Sequence, residues 1–427
     1  MWGARLLAPC LLAIAVTALA QDDYRFDVSQ FEKQPFEFGG YAELRGERFN
    51  LNRDAALYQL GFFDQPPRDS FDRGTGALQL EGLYRRGIGS FRFVGFGSAT
   101  SDYSGSDHDS RVYEAHLTLA PTDRTTYDLG KKTLSWGKGY AFNPVGFVQR
   151  MKDPNDPELA REGFVLAGGN FIRSFDGPLK TVAFTPLVVP TSEHVNQDFG
   201  AGNHANPAAK LTLLYRDTDI DFLVLGEGAR GARYGFDFSR NLGTNVEFHG
   251  EWAHLTETTR PVVSATGAVT PVTQSANSWL LGARYLTETE LTAIVEYYYN
   301  GAGYREDEAR AFFQAIHDAY DVGNIALLEQ LRTTAQTALA RPNPMRRYLY
   351  LRLSQKDPFD ILYFTPALTV IANLDDGSRS VAPELLYTGI TNLELRLRLF
   401  FLSGDRLTDF GEKQNDRRLE LRARYYF

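Results

Sequence analysis

The sequence predicts an all-β fold: a transmembrane, antiparallel, up-and-down β-barrel of about eighteen strands, with a helical hairpin inserted in one loop. Merging the short segments around 209–239 would give about sixteen strands, also an even number. Three observations lead to this class. The amino terminus, "MWGARLLAPCLLAIAVTALA", has the three-part grammar of a secretory signal. The connections between alternating segments sort by length, short and long in turn. And the chain ends "RRLELRARYYF". There Leu419, Leu421, Ala423, Tyr425 and Phe427 share one face of an extended strand, while Arg418, Glu420, Arg422, Arg424 and Tyr426 share the other. An apolar face toward lipid and a polar face toward a lumen fit that alternation.

The signal places a charge at Arg5, an apolar run from Leu6, and Ala18-Leu19-Ala20 before Gln21. Cleavage is expected after Ala20. That leaves residues 1–20 as signal peptide, 21–35 as an N-terminal periplasmic segment and 36–427 as the barrel. Cys10 is the only cysteine, and it lies inside the apolar run after Pro9. A lipoprotein anchor therefore fits poorly, and the mature chain is left without disulfide or thiol chemistry. The formal charge is -8, and losing Arg5 takes it to -9, which argues against nucleic acid as a partner. Mean hydropathy is -0.31, a value typical of soluble proteins. Barrel strands hide their apolar half from such averages, and 22 Tyr, 30 Phe and 38 Gly suit a barrel.

The elements follow in order. "FEFGGYAELRGERF" from Phe36 is the first strand. "ALQLEGLYRR" and "SFRFVGFGSAT" flank Gly87-Ile88-Gly89, and "VYEAHLTLA" and "TYDLGKKTLSW" flank "PTDR". Further pairs flank Asp176-Gly177-Pro178, Asp217-Thr218-Asp219, "NLGT", "TETE" and "QKDPF". Two more strands, "VAPELLYTG" and "NLELRLRLFFL", precede the last. Between these hairpins stand longer connections at 49–74, 102–110, 136–161, 191–207, 255–276, 300–344 and 403–415, with two short ones near Gly228 and Asp375. Tight turns at one rim and long loops at the other are expected of an outer-membrane barrel, with the loops outside the cell. Pro186, Pro366 and Pro383 fall inside strands and are expected to mark bulges or strand ends.

Within 304–341 the period changes from two to helical. Phe312, Ile316 and Ala319 recur at helical spacing, as do Leu327, Leu328, Leu331, Ala335 and Leu339. Gly323-Asn324 breaks the pattern, and Pro342 ends it. "REDE" at the start and Arg341 at the end suit the helix dipole. Two short helices are marginal alone, so the hairpin is expected to dock as a cap over the extracellular opening.

The inward faces carry Arg45, Arg85, Arg92, Arg352, Arg396, Arg398, Arg418, Arg422 and Arg424, with Glu43, Glu394 and Glu420 among them. Closure of the barrel brings the first strand beside the last two, so Arg45, Arg396, Arg398, Arg422 and Arg424 share one wall. If Leu402 pairs with Asp416, Arg398 faces Glu420, Glu394 faces Arg424 and Arg396 faces Arg422. The wall is then either a basic track for an anionic solute or a salt-bridged ladder. The connection at 136–161 is long and aromatic. Trp136, Lys138, Tyr140, Phe142 and Asn143 are expected to form a constriction in the lumen. Its "DPNDPE" offers Asp153, Asn155, Asp156 and Glu158. Their spacing matches no full calcium loop, so a solvated acidic turn is expected.

Enzyme signatures are weak. The seven histidines show no ligand spacing, and no G-x-S-x-G elbow is present. Ser106, His108 and Asp109 in "SGSDHDS" are too close in sequence for a usual triad. No metal site, no catalytic residues and no cofactor are expected.

The stretch "LGKKTLSWGKGYAFNPVGF" resembles an uncharacterised porin-like family of outer-membrane barrels, similar to the alginate-export channels. Trp136, Gly137, Gly139, Asn143 and Pro144 carry the likeness, as W-G-x-G followed by N-P. The resemblance implies a barrel of about eighteen strands with an arginine-lined pore. This chain departs from it in the glutamates beside its arginines. Tyr425 and Phe427 resemble the terminal signal by which such barrels are recognised for assembly. The expected role is an outer-membrane channel for passive diffusion, export or uptake of a small, anionic or amphipathic solute; a surface adhesin or interaction barrel of plugged lumen is the alternative, and a membrane-embedded hydrolase the third reading. The expected partners are outer-membrane lipid and lipopolysaccharide, the barrel assembly machinery and the solute.

Overall fold

The computed structural model describes residues 35–159, 161–339 and 342–427. The expected signal peptide lies outside the described residues. So do Arg341 and, apart from Pro35, the expected 21–35 segment. Phe36–Phe427 forms one compact unit. Its strands are β1 Phe36–Leu51, β2 Ser70–Arg86, β3 Gly89–Asp102, β4 Gly105–Thr122, β5 Thr125–Lys132, β6 Phe164–Ser174, β7 Leu179–Thr191, β8 His204–Tyr215 and β9 Thr218–Leu225. They continue with β10 Arg233–Leu242, β11 Val246–Val263, β12 Val269–Leu286, β13 Leu291–Tyr299, β14 Arg347–Gln355, β15 Phe364–Asn373, β16 Arg379–Ile390, β17 Leu393–Ser403 and β18 Asn415–Tyr426. Among the described residues three α-helices lie in the connections, α1 Ala56–Phe62, α2 Glu306–Asp321 and α3 Ile325–Ala338, with a short 3-10 helix at Pro358–Asp360.

Every strand pairs antiparallel with its chain neighbours, and β1 also pairs with β18, so the 18-stranded sheet closes without a free edge. Closure satisfies the backbone groups that an open edge would leave bare. At the seam the Phe427 N–H donates to the Gly40 carbonyl and the Gly40 N–H to the Phe427 carbonyl, each at 3.1 Å. The outer surface is apolar though exposed, as at Leu44, Leu129, Leu281, Leu421, Tyr425 and Phe427. That is the burial pattern of a wall made to face lipid.

One rim, the turn rim, carries the connections after even-numbered strands. The other, the loop rim, carries α1, the α2–α3 pair and the loop 133–163. Two expected long loops are corrected. At 102–110, β3 runs to Asp102 and β4 resumes at Gly105. At 255–276, β11 runs to Val263 and β12 resumes at Val269, with Thr259 opposite Thr273 and Pro261 opposite Pro271. Most residues of these hairpin ends are polar, so they lack the alternation that lipid imposes lower down. The missed helix, α1, is only 7 residues long.

The proline expectation holds only for Pro366, near the start of β15. At Pro186 the β6 ladder skips from Leu187 to Phe184, and at Pro383 the β17 ladder skips from Val381 to Glu384. Each proline lacks the N–H for one neighbour, and the strand runs on.

The helical hairpin docks. Phe312, Phe313 and Ile316 of α2 and Leu328 and Leu331 of α3 bury against each other, Ala56 and Leu60 of α1, Phe410, Met345 and Tyr348. The Glu308 carboxylate accepts the Arg305 N–H at 2.9 Å, and the Asn324 side chain accepts the Leu327 N–H at 3.2 Å, satisfying donors at the two helix starts.

Candidate functional site

Loop 133–163, between β5 and β6, folds into the barrel and is fastened to its inner wall. The attachment uses carboxylates that point inward from the strands. Glu251 on β11 accepts the backbone N–H groups of Lys138 and Gly139 at 2.6 Å each, and that of Val145 at 3.3 Å. Glu296 on β13 accepts those of Tyr140 and Ala141. The Lys138 ammonium lies 3.3 Å from Asp221 of β9. The glycines of the W-G-x-G motif now have a reason. Gly137 has φ +97°, and a Cβ there would lie 2.7 Å from Glu251 Oε1. A Cβ on Gly139 would lie 2.2 Å from the Phe142 carbonyl oxygen. At both positions a Cβ would meet an atom already in place, and the positive φ of Gly137 is itself one that glycine adopts most readily.

The aromatic residues anchor the loop. Trp136 is buried with Val145, Phe147, Phe164 and Val189, so it packs against the wall and does not line open space. The Trp136 N–H donates to the Gln149 side chain at 2.9 Å, and the Gln149 amide returns a bond to the Trp136 carbonyl at 2.8 Å. Phe142 stacks on Tyr298 with centroids 4.5 Å apart. The Tyr140 hydroxyl donates to Glu158 at 3.2 Å. Asn143 and Phe142 border a cavity of about 540 Å³ that also touches Asn300 and Asp198 near the loop rim.

The other end of the loop reaches the opposite wall. Asp156 Oδ2 lies 3.3 Å from Arg398 and 3.4 Å from Arg422, and its Oδ1 lies 3.7 Å from Arg396. Asp156 is thus docked, which corrects the expected solvated acidic turn. Burial pushes its carboxyl up, but Arg398, Arg422 and Arg396 together outweigh burial and hold it below the usual carboxylate range. β9 and β18 stand nine strands apart in the closed ring of 18, so the loop crosses the lumen between an acidic wall and a basic one.

The basic wall has the register weighed above: Arg396 opposite Arg422, Arg398 opposite Glu420 and Glu394 opposite Arg424. Arg45 stands opposite Arg422 across the seam. Its arginines are paired. Arg45 lies 3.7 Å from Glu47, Arg352 3.1 Å from Glu384, Arg396 3.2 Å from Glu394 and Arg418 3.5 Å from Glu47. Arg398 contacts Glu384, Arg422 lies 3.3 Å from Glu394, and Arg424 lies 2.6 Å from Glu43. Arg92 bridges Glu81 and Glu114, and Arg85 meets Glu37 near the turn rim, away from the rest. A second cavity, of about 610 Å³, is lined by Asp156, Arg396, Arg422, Arg424 and, at the turn rim, Phe38 and Phe427.

Sequence reasoning missed the acidic wall of Asp221, Asp237, Glu251 and Glu296. Asp237 stands opposite Asp221 on one side and Glu251 on the other, and it is fully buried. The available signal was an acid at inward parity in each of "DIDFLVL", "YGFDFS", "HGEWAHL" and "AIVEYYY". Ser106 and His108 alternate away from Asp109, whose carboxylate pairs with Arg111, so these three do not converge. Among the described residues no group of three His, Cys, Asp or Glu gathers as metal ligands.

A closed antiparallel barrel with an inward-folded loop and charged walls is a porin-like architecture. The structure of OccAB1 from Acinetobacter baumannii matches with a TM-score of 0.52 and 13% identity, over 92% of this chain and 97% of that one. The structure of OccK5 (OpdH) from Pseudomonas aeruginosa matches with a TM-score of 0.51 and 11% identity, over 92% and 98%. At such identity the likeness is one of fold. No protein-family model and no curated protein sequence matches the chain.

Proposed function

We propose that the chain is a non-catalytic outer-membrane channel for passive passage of a small anionic or amphipathic solute, working without a cofactor. One observation carries the reading: loop 133–163 crosses the lumen and leaves a cavity on each side, about 540 Å³ toward the loop rim and about 610 Å³ toward the turn rim. Acidic groups on one wall and arginines on the other set a field across the passage, which orients a charged solute at the level of the loop. In the membrane the loop rim faces outward and the turn rim faces the periplasm. The W-G-x-G resemblance to a porin-like barrel family supports a channel, while the glutamates interleaved with the arginines speak against a long polyanion.

Conductance in planar lipid bilayers tests the reading. The purified barrel is expected to pass discrete single-channel currents. One observation favours the surface-interaction alternative: the buried cluster of the helical cap continues through Phe142 and Leu280 to the crossing loop. A barrel plugged in this way would pass no current at any voltage.

A further inference from the structure

The ladder of pairs does not account for everything on the basic wall. The seven arginines of β14, β17, β18 and β1 described above share five strand glutamates, Glu420 being the fifth at 3.9 Å from Arg398, and the sixth carboxylate, Asp156, comes from the crossing loop. Three guanidinium groups converge on that one carboxylate, at 3.3, 3.4 and 3.7 Å. Planar guanidinium forks in this arrangement suit an oxyanion. The contacts are longer than the ordinary charge-assisted bond of about 2.7–2.9 Å, so Asp156 is held without being clamped. The Nε–H groups of Arg45, Arg396 and Arg422 are buried and find no acceptor on the protein, so the strand glutamates do not saturate the wall. The place is accessible, because Arg396, Arg422 and Asp156 all border the cavity on the turn side. Pro154 and Pro157 flank Asp156 in sequence and stiffen the segment that presents it.

We propose that Arg396, Arg398 and Arg422 form an oxyanion-binding site in the lumen wall, that Asp156 occupies it as a built-in counter-anion, and that a solute carboxylate or phosphate takes the site by displacing Asp156. The proposal rests on the channel reading above. Exchange of one anion for another leaves no arginine stranded. The displaced carboxylate turns into the cavity and regains water. Asp156 thereby sets a threshold: an oxyanion able to engage the forks passes, and a weakly coordinating ion gains little from the site.

The test compares wild-type, D156N and D156N/R396Q barrels in planar bilayers, with acetate and inorganic phosphate titrated separately against the chloride current. D156N is expected to shift the reversal potential toward anion preference. It is also expected to be blocked at roughly tenfold lower oxyanion concentration, the scale of one charge-assisted hydrogen bond. Block by acetate identifies carboxylate as the ligand chemistry, and block by phosphate identifies phosphate; either supports the site. D156N/R396Q is expected to lose the gain. D156A serves as the second neutral variant if D156N inserts poorly. A conducting D156N or D156A barrel with wild-type selectivity and unchanged block overturns the proposal while leaving the channel standing. Absence of current from every barrel, wild type included, overturns the channel reading and this proposal with it.

Discussion

Glu251 and Gly139 meet carboxylate to backbone N–H at 2.6 Å, in the interior of the barrel. The contact fixes where the crossing loop sits. The same carboxylate takes the N–H groups of Lys138 and Val145, so one inward glutamate satisfies three donors of a chain that has left its sheet. Glu251→Ala strands those donors at about 1–3 kcal/mol each where water cannot replace the bond. We expect the loop to leave the wall, seen as new protease cuts within 133–163 and noisier single-channel current from a barrel that still folds. Gly139→Ala is expected to act in the same direction by overpacking, at roughly 1–3 kcal/mol, because its Cβ meets the Phe142 carbonyl.

Arg398 and Glu384 form the centre of the basic wall, and both are buried. Removing one partner leaves the other charged and under-compensated. Arg398→Gln is expected to lower barrel stability by about 3 kcal/mol, and the exchanged pair Arg398→Glu with Glu384→Arg to recover part of it. Denaturant midpoints of the single and double variants check this. The double reversal Arg396→Glu with Arg422→Glu is expected to lower stability as well as move the reversal potential toward cations. Unchanged selectivity in a well-folded double variant would remove these arginines from the passage.

Which residues of that wall face the lumen was legible in advance, because a strand whose outer face must be apolar cannot slip by one residue; the pairing itself was not, because a slip of two residues keeps every face and sets arginine against arginine. Leu393, Leu395, Leu397 and Leu399 fix the outer face of β17, Leu419, Leu421 and Ala423 fix that of β18, and the arginines follow. The course of the crossing loop was not legible. Its path depends on Glu251 and Glu296, which lie 106 or more positions from their partners at Val145, Ala141 and Tyr140. The aromatic content of 136–161 pointed to a lumen loop, yet no local pattern distinguishes Trp136 as a buried anchor from Trp136 as a pore wall. Asp156 was invisible for the same reason: it belongs to a turn by sequence and to three arginines only after folding. The hairpin ends at 102–110 and 255–276 were misread because alternation is written by lipid, and those residues stand clear of it.

The helical cap has its own polar clasp. His317 of α2 lies 3.0 Å from Glu412, which also accepts the N–H groups of Ala56 and Leu407 at 2.5 and 2.6 Å. Burial would raise the Glu412 carboxyl, but the bond with His317 and those two N–H groups outweigh it and hold it below the ordinary carboxylate range. A carboxyl depressed in the folded state contributes its stability above its unfolded value of about 4.3 and loses it as pH falls through the lower folded value. The cap is therefore expected to be equally protected at pH 7 and 5 and to loosen below about pH 4. Hydrogen exchange of α2 and α3 measures it. Glu412→Gln is expected to be weaker at neutral pH and to lack the acid step; an acid profile matching wild type would assign the step to another group.

The α2–α3 hairpin is also expected to restrict the opening at the loop rim. α2 and α3 bury Phe313, Ile316, Leu328 and Leu331 against α1, Met345 and Phe410, and Arg332 pairs with Asp64 at 2.9 Å just beyond α1. Phe313→Ala opens a cavity in that cluster and is expected to cost about 3–5 kcal/mol of local stability, read as faster hydrogen exchange in α2 and α3 with the strands unaffected. Replacing 304–341 by a short Gly/Ser link goes further, since it removes one side of the packing that holds α1 and the 404–414 connection. The barrel strands keep every ladder bond, because β13 and β14 pair directly along Tyr299–Arg347 to Leu291–Gln355. The shortened protein is therefore expected to fold and insert. If the cap restricts the loop-rim opening, single-channel conductance rises. Equal conductance in the shortened barrel would mean that the helices pack on the rim without crossing the route, and would turn attention to what α2 and α3 bind outside the cell.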